Sequence, residues 1–350
     1  MALAEPADAM TNSGPPVVSI CVANYNGRAL LETCIQSIFE QTAQIDVEII
    51  VHDDASSDDS LRWLHERCPG VRVIASRENV GFCIGNNRMA QVARGEYLLL
   101  LNNDAALLPD ALSSLLEMAR RSPPGTILTL PQFDWDSGEP VDRGCYLDPF
   151  YNPVPKVTVD DGDVAMCIGA CLWISRDRWF ELGGFPQWME SIGEDLYLCC
   201  VNRLTGGAVR CTASSGYRHR QGASFGGNRA STSGLHTTLR RRQLSERNKT
   251  AVLFICTPGW LMPLLLALHI ASLAVEGAAL SLAKRNKELW VRVYAPAIWS
   301  PIRYRQLWCQ LRRSIQPRRA VGTSMYFAPF VATLRKLELL RKFGVPTIQS

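Results

Sequence analysis

The chain has 350 residues, 47% of them hydrophobic, which is enough for a sizeable core and excludes wholesale disorder. A net charge of +4 hides a division: residues 1–235 carry 18 Lys and Arg against 29 Asp and Glu, residues 236–350 carry 19 against 4. The twelve cysteines are scattered, without CxxC pairs, which argues against a disulfide framework or a zinc module and for buried reduced thiols in a cytoplasmic protein.

Residues 1–16 have neither a basic n-region nor an apolar h-region and read as a disordered lead rather than a signal peptide. VVSICVANYN, residues 17–26, is a buried strand that ends in polar residues. Leu30, Leu31, Cys34, Ile35, Ile38 and Phe39 then recur at helical spacing. VEIIVHDD predicts a second strand ending in carboxylates, and DSLRWLHERCP a helix stopped at Pro69. VRVIASRENVG predicts a third strand and CIGNNRMAQVARG a helix closed by Gly95. EYLLLLNNDAAL predicts a fourth strand, followed by a helix with Pro109 near its start. From about Pro131 to Val164 the composition turns to Pro, Gly and Asp and predicts loop. Order resumes with VAMCIGACLWISRDRWFELGGFP, a helix after Glu194-Asp195, a short strand AVRCTA, and YRHRQGAS.

This alternation, with near-continuous apolar strands, predicts an α/β fold around a sheet covered on both faces. Polar residues recur where strands end: Asn24 and Asn26, Asp53 and Asp54, Asn103 and Asp104. In an open α/β sheet that edge binds ligands. Neither a G-x-x-x-x-G-K-[ST] loop nor a G-x-G-x-x-G after the first strand is present. Phosphates, if bound, need another device, and a divalent cation is the obvious one.

Four groupings could carry chemistry. Asp104 in Asn102-Asn103-Asp104 could reach a cation that holds phosphate oxygens, although the same residues also make turns. Asp53 and Asp54, after His52, could accept from a base or a ribose hydroxyl, or belong to helix capping. Glu194-Asp195 could supply a general base for an acceptor hydroxyl, or complement a helix dipole. His219 could be a structural histidine or a metal ligand.

Residues 251–275 contain no Asp, Glu, Lys or Arg, long enough to cross a bilayer, but Pro258, Gly259 and Pro263 interrupt them. Both flanks, LRRRQLSERNK and AKRNK, are basic, which disfavours a single crossing and predicts an interfacial or re-entrant segment, ahead of a buried core or dimer helix. The tail to Ser350 mixes Arg and Lys with Trp, Tyr and Leu, as a surface-lying segment does. Nucleic acid would use similar residues, but the adjoining apolar run points to membrane.

Taken in order, VSICVANYNG, EIIVHDDASSDDS, ENVGFCIGNNRMA, GEYLLLLNNDAAL, GGFP with GED, and His219 with GAS resemble the family 2 glycosyltransferases, within them the bacterial rhamnosyltransferase-like branch. The resemblance covers about Val17 to Ser224 and implies a GT-A fold, a Rossmann-like mixed sheet flanked by helices. The expected organisation is a lead (1–16), a GT-A domain (17–235) and a basic, apolar helical membrane-associating region (236–350).

The resemblance also implies roles. Asn24, Tyr25 and Asn26 would line the nucleotide pocket. Asp53 would read the base and Asp54 would support the ribose. Asn79 and Asn87 fall in the donor segment. Asn102-Asn103-Asp104 occupies the D-x-D position, with Asn in place of the first Asp and Asp104 as ligand to Mg²⁺ or Mn²⁺. Glu194-Asp195 matches the catalytic pair, with Asp195 as base, and His219 would complete the metal or diphosphate site. Q-x-x-R-W is absent, since LRRRQL lacks the Trp, so one-sugar transfer is expected rather than polymerisation. The implied reaction is inverting transfer from a nucleotide-sugar donor, such as dTDP-rhamnose or a UDP-sugar, to a saccharide or lipid-linked saccharide at the inner face of the cell membrane. A nucleotidyltransferase of similar fold would need a Gly-rich loop after the first strand, and a non-catalytic membrane-bound scaffold would not need both Asp104 and Asp195.

Overall fold

The computed structural model describes residues 14–160, 162–222, 227–231 and 234–349. The expected lead lies almost wholly outside the described residues, as do Ala223 and Ser224 of the GAS motif.

The first half alternates as its periodicity predicts: β1 (Val18–Asn24), α1 (Arg28–Phe39), β2 (Val47–Asp53), α2 (Ser60–Arg67), β3 (Arg72–Ala75), α3 (Phe82–Val92), β4 (Tyr97–Asn102), β5 (Ala105–Leu107) and α4 (Ala111–Arg121). Short strands follow: β6 (Ile127–Thr129), β7 (Gln132–Asp134), β8 (Pro140–Asp142), β9 (Cys145–Leu147) and β10 (Pro153–Pro155). Then come β11 (Cys171–Ser175), α5 (Arg176–Leu182), α6 (Glu194–Leu204), β12 (Val209–Cys211) and β13 (Tyr217–His219). The segment 131–164, expected to be loop, thus contains four strands. Each has three residues, too short to show a period of two in sequence.

The main sheet has seven strands in the order β12-β6-β11-β4-β1-β2-β3, parallel from β4 to β3, with β11 antiparallel to β4. It is a mixed α/β sheet flanked by helices. Side chains alternate across it. Cys21, Leu98 and Leu100 enter one core, while Ile20, Val22, Leu99 and Leu101 enter the core on the opposite face. Each such leucine contributes about 1.5–3 kcal/mol by leaving water, so register is strongly fixed. That register sets Asn24 opposite Asp53 and Ala23 opposite Asn102, bringing three polar strand ends together. A second sheet, β5-β13-β7-β8, pairs His219 with Ala105 on one side and Asp134 on the other.

The remaining helices include α7 (Leu239–Cys256), α8 (Leu261–Ala283), α9 (Ala295–Arg303) and α10 (Arg305–Ile315), with a π-helical stretch at Leu289–Tyr294. They correct the sequence reading in two ways. The uncharged run 251–275 is not one segment. Residues 251–256 end α7, and all but the half-buried Phe254 are buried; α8 begins only at Leu261. Nor does the core stop near residue 235. Ala251, Leu253, Trp308 and Ile315 share one cluster with Leu198 and Val201 of α6. All twelve cysteines are free thiols, and ten are buried.

Candidate active site

The strand ends are knit by side chains. Asn24 Nδ2 donates to Asp53 Oδ2 at 2.9 Å, and Asn103 Nδ2 donates to Asn24 Oδ1 at 2.8 Å. Asp53 Oδ1 accepts the Ser56 N–H at 3.0 Å. Asn24, Asp53 and Asn103 are buried, and Asp53 is 0% exposed with both oxygens used. They are struts beneath the site. Asp53, expected to read the base, has both carboxylate oxygens engaged by Asn24 and Ser56 here. Gly27, at the start of α1, completes the arrangement. A Cβ there would sit 2.1 Å from Asn103 Nδ2 and 2.5 Å from Asn24 Oδ1.

Asn26 stitches the first loop to the second. Its backbone N–H donates to Ser56 Oγ, and its side-chain oxygen accepts from Ser57 N at 2.7 Å. Tyr25 beside it is 53% exposed, free to meet a planar ligand. Asp54 accepts the N–H groups of Val80 and Gly81 at 2.7 and 2.8 Å and so fixes the loop into α3. It too is buried, with both oxygens engaged by backbone N–H groups. Asn79 lies exposed on that loop. Asn87 exchanges two hydrogen bonds with the backbone of Phe185, at 2.8 and 3.0 Å, and holds the GGFP turn. Gly184 is obligatory in that turn: its φ is +65°, and a Cβ would meet Asn87 Oδ1 at 2.6 Å.

Past β4, Asn102 is half-buried and its N–H donates to Ala170 O at 3.0 Å. Asp104 is 2% exposed, and its Oδ1 lies 3.2 Å from His219 Nε2. His219 Nδ1 lies 3.2 Å from Gln132 Oε1, which also accepts the Tyr217 hydroxyl at 2.9 Å. An acceptor oxygen facing Nδ1 orients the ring so that Nε2 is the nitrogen beside the carboxylate. One carboxylate oxygen and one imidazole nitrogen are donors that would suit Mg²⁺ or Mn²⁺. Among the described residues no group of three His, Cys, Asp or Glu gathers, so a cation here would depend on the donor for its remaining ligands.

Glu194 and Asp195 open α6 after Gly193, whose φ is +93°. Asp195 Oδ2 accepts the Gly169 N–H at 3.0 Å. Gly169 adjoins Ala170, whose carbonyl bonds Asn102, so Asp195 stands one peptide away from the strand end that carries Asp104. Burial raises the Asp195 carboxyl above its ordinary value. Burial, with Asp195 alongside, raises Glu194 as well. Arg241 of α7 is the positive charge acting on both.

The loop before α6 is held by α7. Glu190 and Ile192 have φ of 66° and 67°, conformations that cost about 1–3 kcal/mol each in a non-glycine residue. Asn248 Nδ2 donates to the carbonyls of Met189, Ser191 and Ile192, and Arg247 reaches those of Trp188 and Met189. Gln132, Gly169, Arg241 and Asn248 escaped the sequence reading. Gln132 sits in the segment expected to be loop, and the others act through positions set by tertiary contact.

Residues 19–179 match the model of glycosyl transferase family 2. That stretch is similar to the family 2 glycosyltransferases. An uncharacterised protein of Mycobacterium tuberculosis is 36% identical over 105 residues, 30% of this chain and 33% of that protein. The Bacillus subtilis protein TuaG, named as a teichuronic acid biosynthesis glycosyltransferase, is 28% identical over 172 residues, 48% of this chain and 65% of its own. The matches thus span less than two thirds of either relative. Two solved structures share the GT-A transferase fold. GalNAc-T7, crystallised with UDP, GalNAc and Mn²⁺, gives a TM-score of 0.55 at 15% identity over 70% of this chain and 48% of that one. Staphylococcus aureus TarS 1–349 with UDP gives 0.52 at 14% identity over 86% of this chain and 90% of that one. These likenesses show the expected fold.

Proposed function

We propose that the chain transfers a single sugar from a nucleoside-diphosphate donor to a saccharide hydroxyl, with inversion, in cell-surface polysaccharide synthesis. The observation that supports this reading is the short path from Asp195 through Gly169 and Ala170 to Asn102, which ties a carboxylate of raised proton affinity to the strand end that leads into Asp104, the partner of His219.

Asp104 and His219 would hold Mg²⁺ or Mn²⁺, which when bound neutralises charge on the departing nucleoside diphosphate. Asp195 accepts the acceptor hydroxyl proton at its carboxylate, and that oxygen attacks the anomeric carbon from the face opposite the diphosphate. One displacement inverts configuration, and one protein base suffices, because a diphosphate leaves without the acid that a glycosidase needs. Tyr25, exposed at the end of β1, would meet the base, with Asn26 fixing its loop; Asn79 and Asn102 face the same edge. Donors consistent with the family branch are dTDP-rhamnose and UDP-sugars.

The acceptor in this reading is a lipid-linked saccharide, and the cytoplasmic face of the cell membrane is the partner surface of the basic C-terminal region, rather than nucleic acid. A thermal-shift panel of nucleotide sugars, with and without Mn²⁺, tests the donor. Stabilisation by one nucleotide class that grows with Mn²⁺ is expected; no response to any nucleotide sugar would overturn the reading.

A further inference from the structure

The helix α8 carries a surface that the transfer reaction does not use. Every fully exposed residue along it is Leu, Val, Ala or Pro, and Leu264, Leu268, Val275 and Leu282 mark the stripe at helical spacing. Trp260, 76% exposed, stands at its start. The π-helical stretch and α9 pack against α8 and add exposed Trp290, Trp299 and Ile302. At 1.5 Å per residue the stripe is roughly 35 Å long. Exposed apolar surface this continuous marks an interaction site.

The opposite face of α8 is bound to the protein along its length. His269 Nε2 meets Thr250 Oγ1 of α7 at 2.9 Å. Glu276 accepts from Arg242 Nη2 and from Lys336 Nζ, each at 2.6 Å. Gly277 lies against the Tyr294 ring, which a Cβ would approach to 2.5 Å. Crossing a bilayer would require breaking these half-buried ion pairs and leaving Glu276 unpaired in hydrocarbon. The helix therefore offers one face and keeps the other.

Basic groups stand at both ends of the stripe. Lys284, Arg285 and Lys287 follow it, all exposed. Beside its start is a shallow recess of about 550 Å³ lined by Gly259, Arg312, Arg313, Gln316 and Arg319, without a carboxylate. Arg312 is spent on the carbonyls that end α7, at Phe254, Ile255 and Thr257, whereas Arg313 and Arg319 are exposed. A helix lying flat keeps both ends at headgroup depth, where these charges meet anionic lipid.

We infer that α8 docks in the plane of an anionic phospholipid bilayer, its leucine stripe among acyl chains and Arg313 and Arg319 on headgroup phosphates, without spanning. This rests on the reading that the C-terminal region meets a membrane and is independent of which sugar is moved. The test uses the full chain with vesicles of phosphatidylcholine, alone or mixed with phosphatidylglycerol, and compares wild type, Leu264→Glu with Leu268→Glu, and Arg313→Gln with Arg319→Gln. Wild type should co-sediment with the mixed vesicles and much less with the neutral ones. The glutamate pair should abolish binding. The glutamine pair should weaken it about thirtyfold, at roughly 1 kcal/mol per charge. Far-UV circular dichroism and nucleotide thermal shift should be unchanged, so a failure of the sugar-transfer reading stays distinguishable. Vesicle binding indifferent to both pairs would overturn the inference. So would a lipid-free dimer that Leu268→Glu disperses, since a second copy would then cover the face.

Discussion

His219 presents Nε2 to Asp104 at 3.2 Å while its other ring nitrogen faces Gln132 at the same distance. In the proposed reading, a carboxylate and an imidazole held this way would supply two ligands to a cation, provided Gln132 keeps the ring oriented. Gln132→Leu should lower Mn²⁺ affinity in the presence of UDP by about 10–100-fold, read by electron paramagnetic resonance of free Mn²⁺. Tyr217→Phe, which leaves the amide in place, should lower it less. Equal Mn²⁺ affinity in wild type and Gln132→Leu would remove the orienting role.

Asp195→Asn should leave nucleotide binding intact and cut transfer by on the order of 10²–10⁴-fold. Wild-type activity should fall on acidification, as the base protonates. Because burial raises the Asp195 carboxyl, the fall should begin above the ordinary carboxylate range. A rate that stays level down to that range would reassign the base.

Glu194 bears on stability as well. Burial raises its carboxyl, so the folded chain keeps a proton that the unfolded chain has already released. That contribution is present in full below the ordinary glutamate range and is lost as pH climbs through the raised value. Glu194→Gln escapes the loss. The variant should melt near wild type in acid and roughly 2–4 °C higher at about pH 9, by differential scanning fluorimetry. A difference that does not change with pH would show that the carboxyl does not titrate as argued.

Gly27→Ala would drive a methyl group into Asn103 and Asn24. A loss of about 1–3 kcal/mol is expected from overpacking, with weaker nucleotide binding as the strut opens. Urea unfolding alongside nucleotide titration measures both. Unchanged stability would mean that the Asn24–Asn103 link tolerates displacement.

The sheet was legible because its strands are long and apolar. Val18–Asn24, Val47–Asp53 and Tyr97–Asn102 announce both their burial and their polar ends. Sequence could not say which polar ends face outward. Tyr25 does, while Asp53 turns inward to Asn24, and that choice is made by register across three strands. Gln132 was hidden because a three-residue strand has no periodicity. The run 251–275 misled for a different reason: hydropathy cannot separate an apolar stretch buried against α6, such as Val252 and Leu253, from one left open, such as Leu264 and Leu268.

The three carbonyls gripped by Asn248 bear on how far this chain can be cut or recombined. A chimera joined near residue 235 would give the catalytic carboxylates a foreign helix to lean on, and with it a loop free to relax from Glu190 to Gly193. The transplantable unit includes α7 through Cys256 and the α10 residues Trp308 and Ile315 that share its core. A truncation placed before Cys256 removes a brace of the reaction centre, so an inactive fragment would say nothing about whether the tail is needed at the membrane.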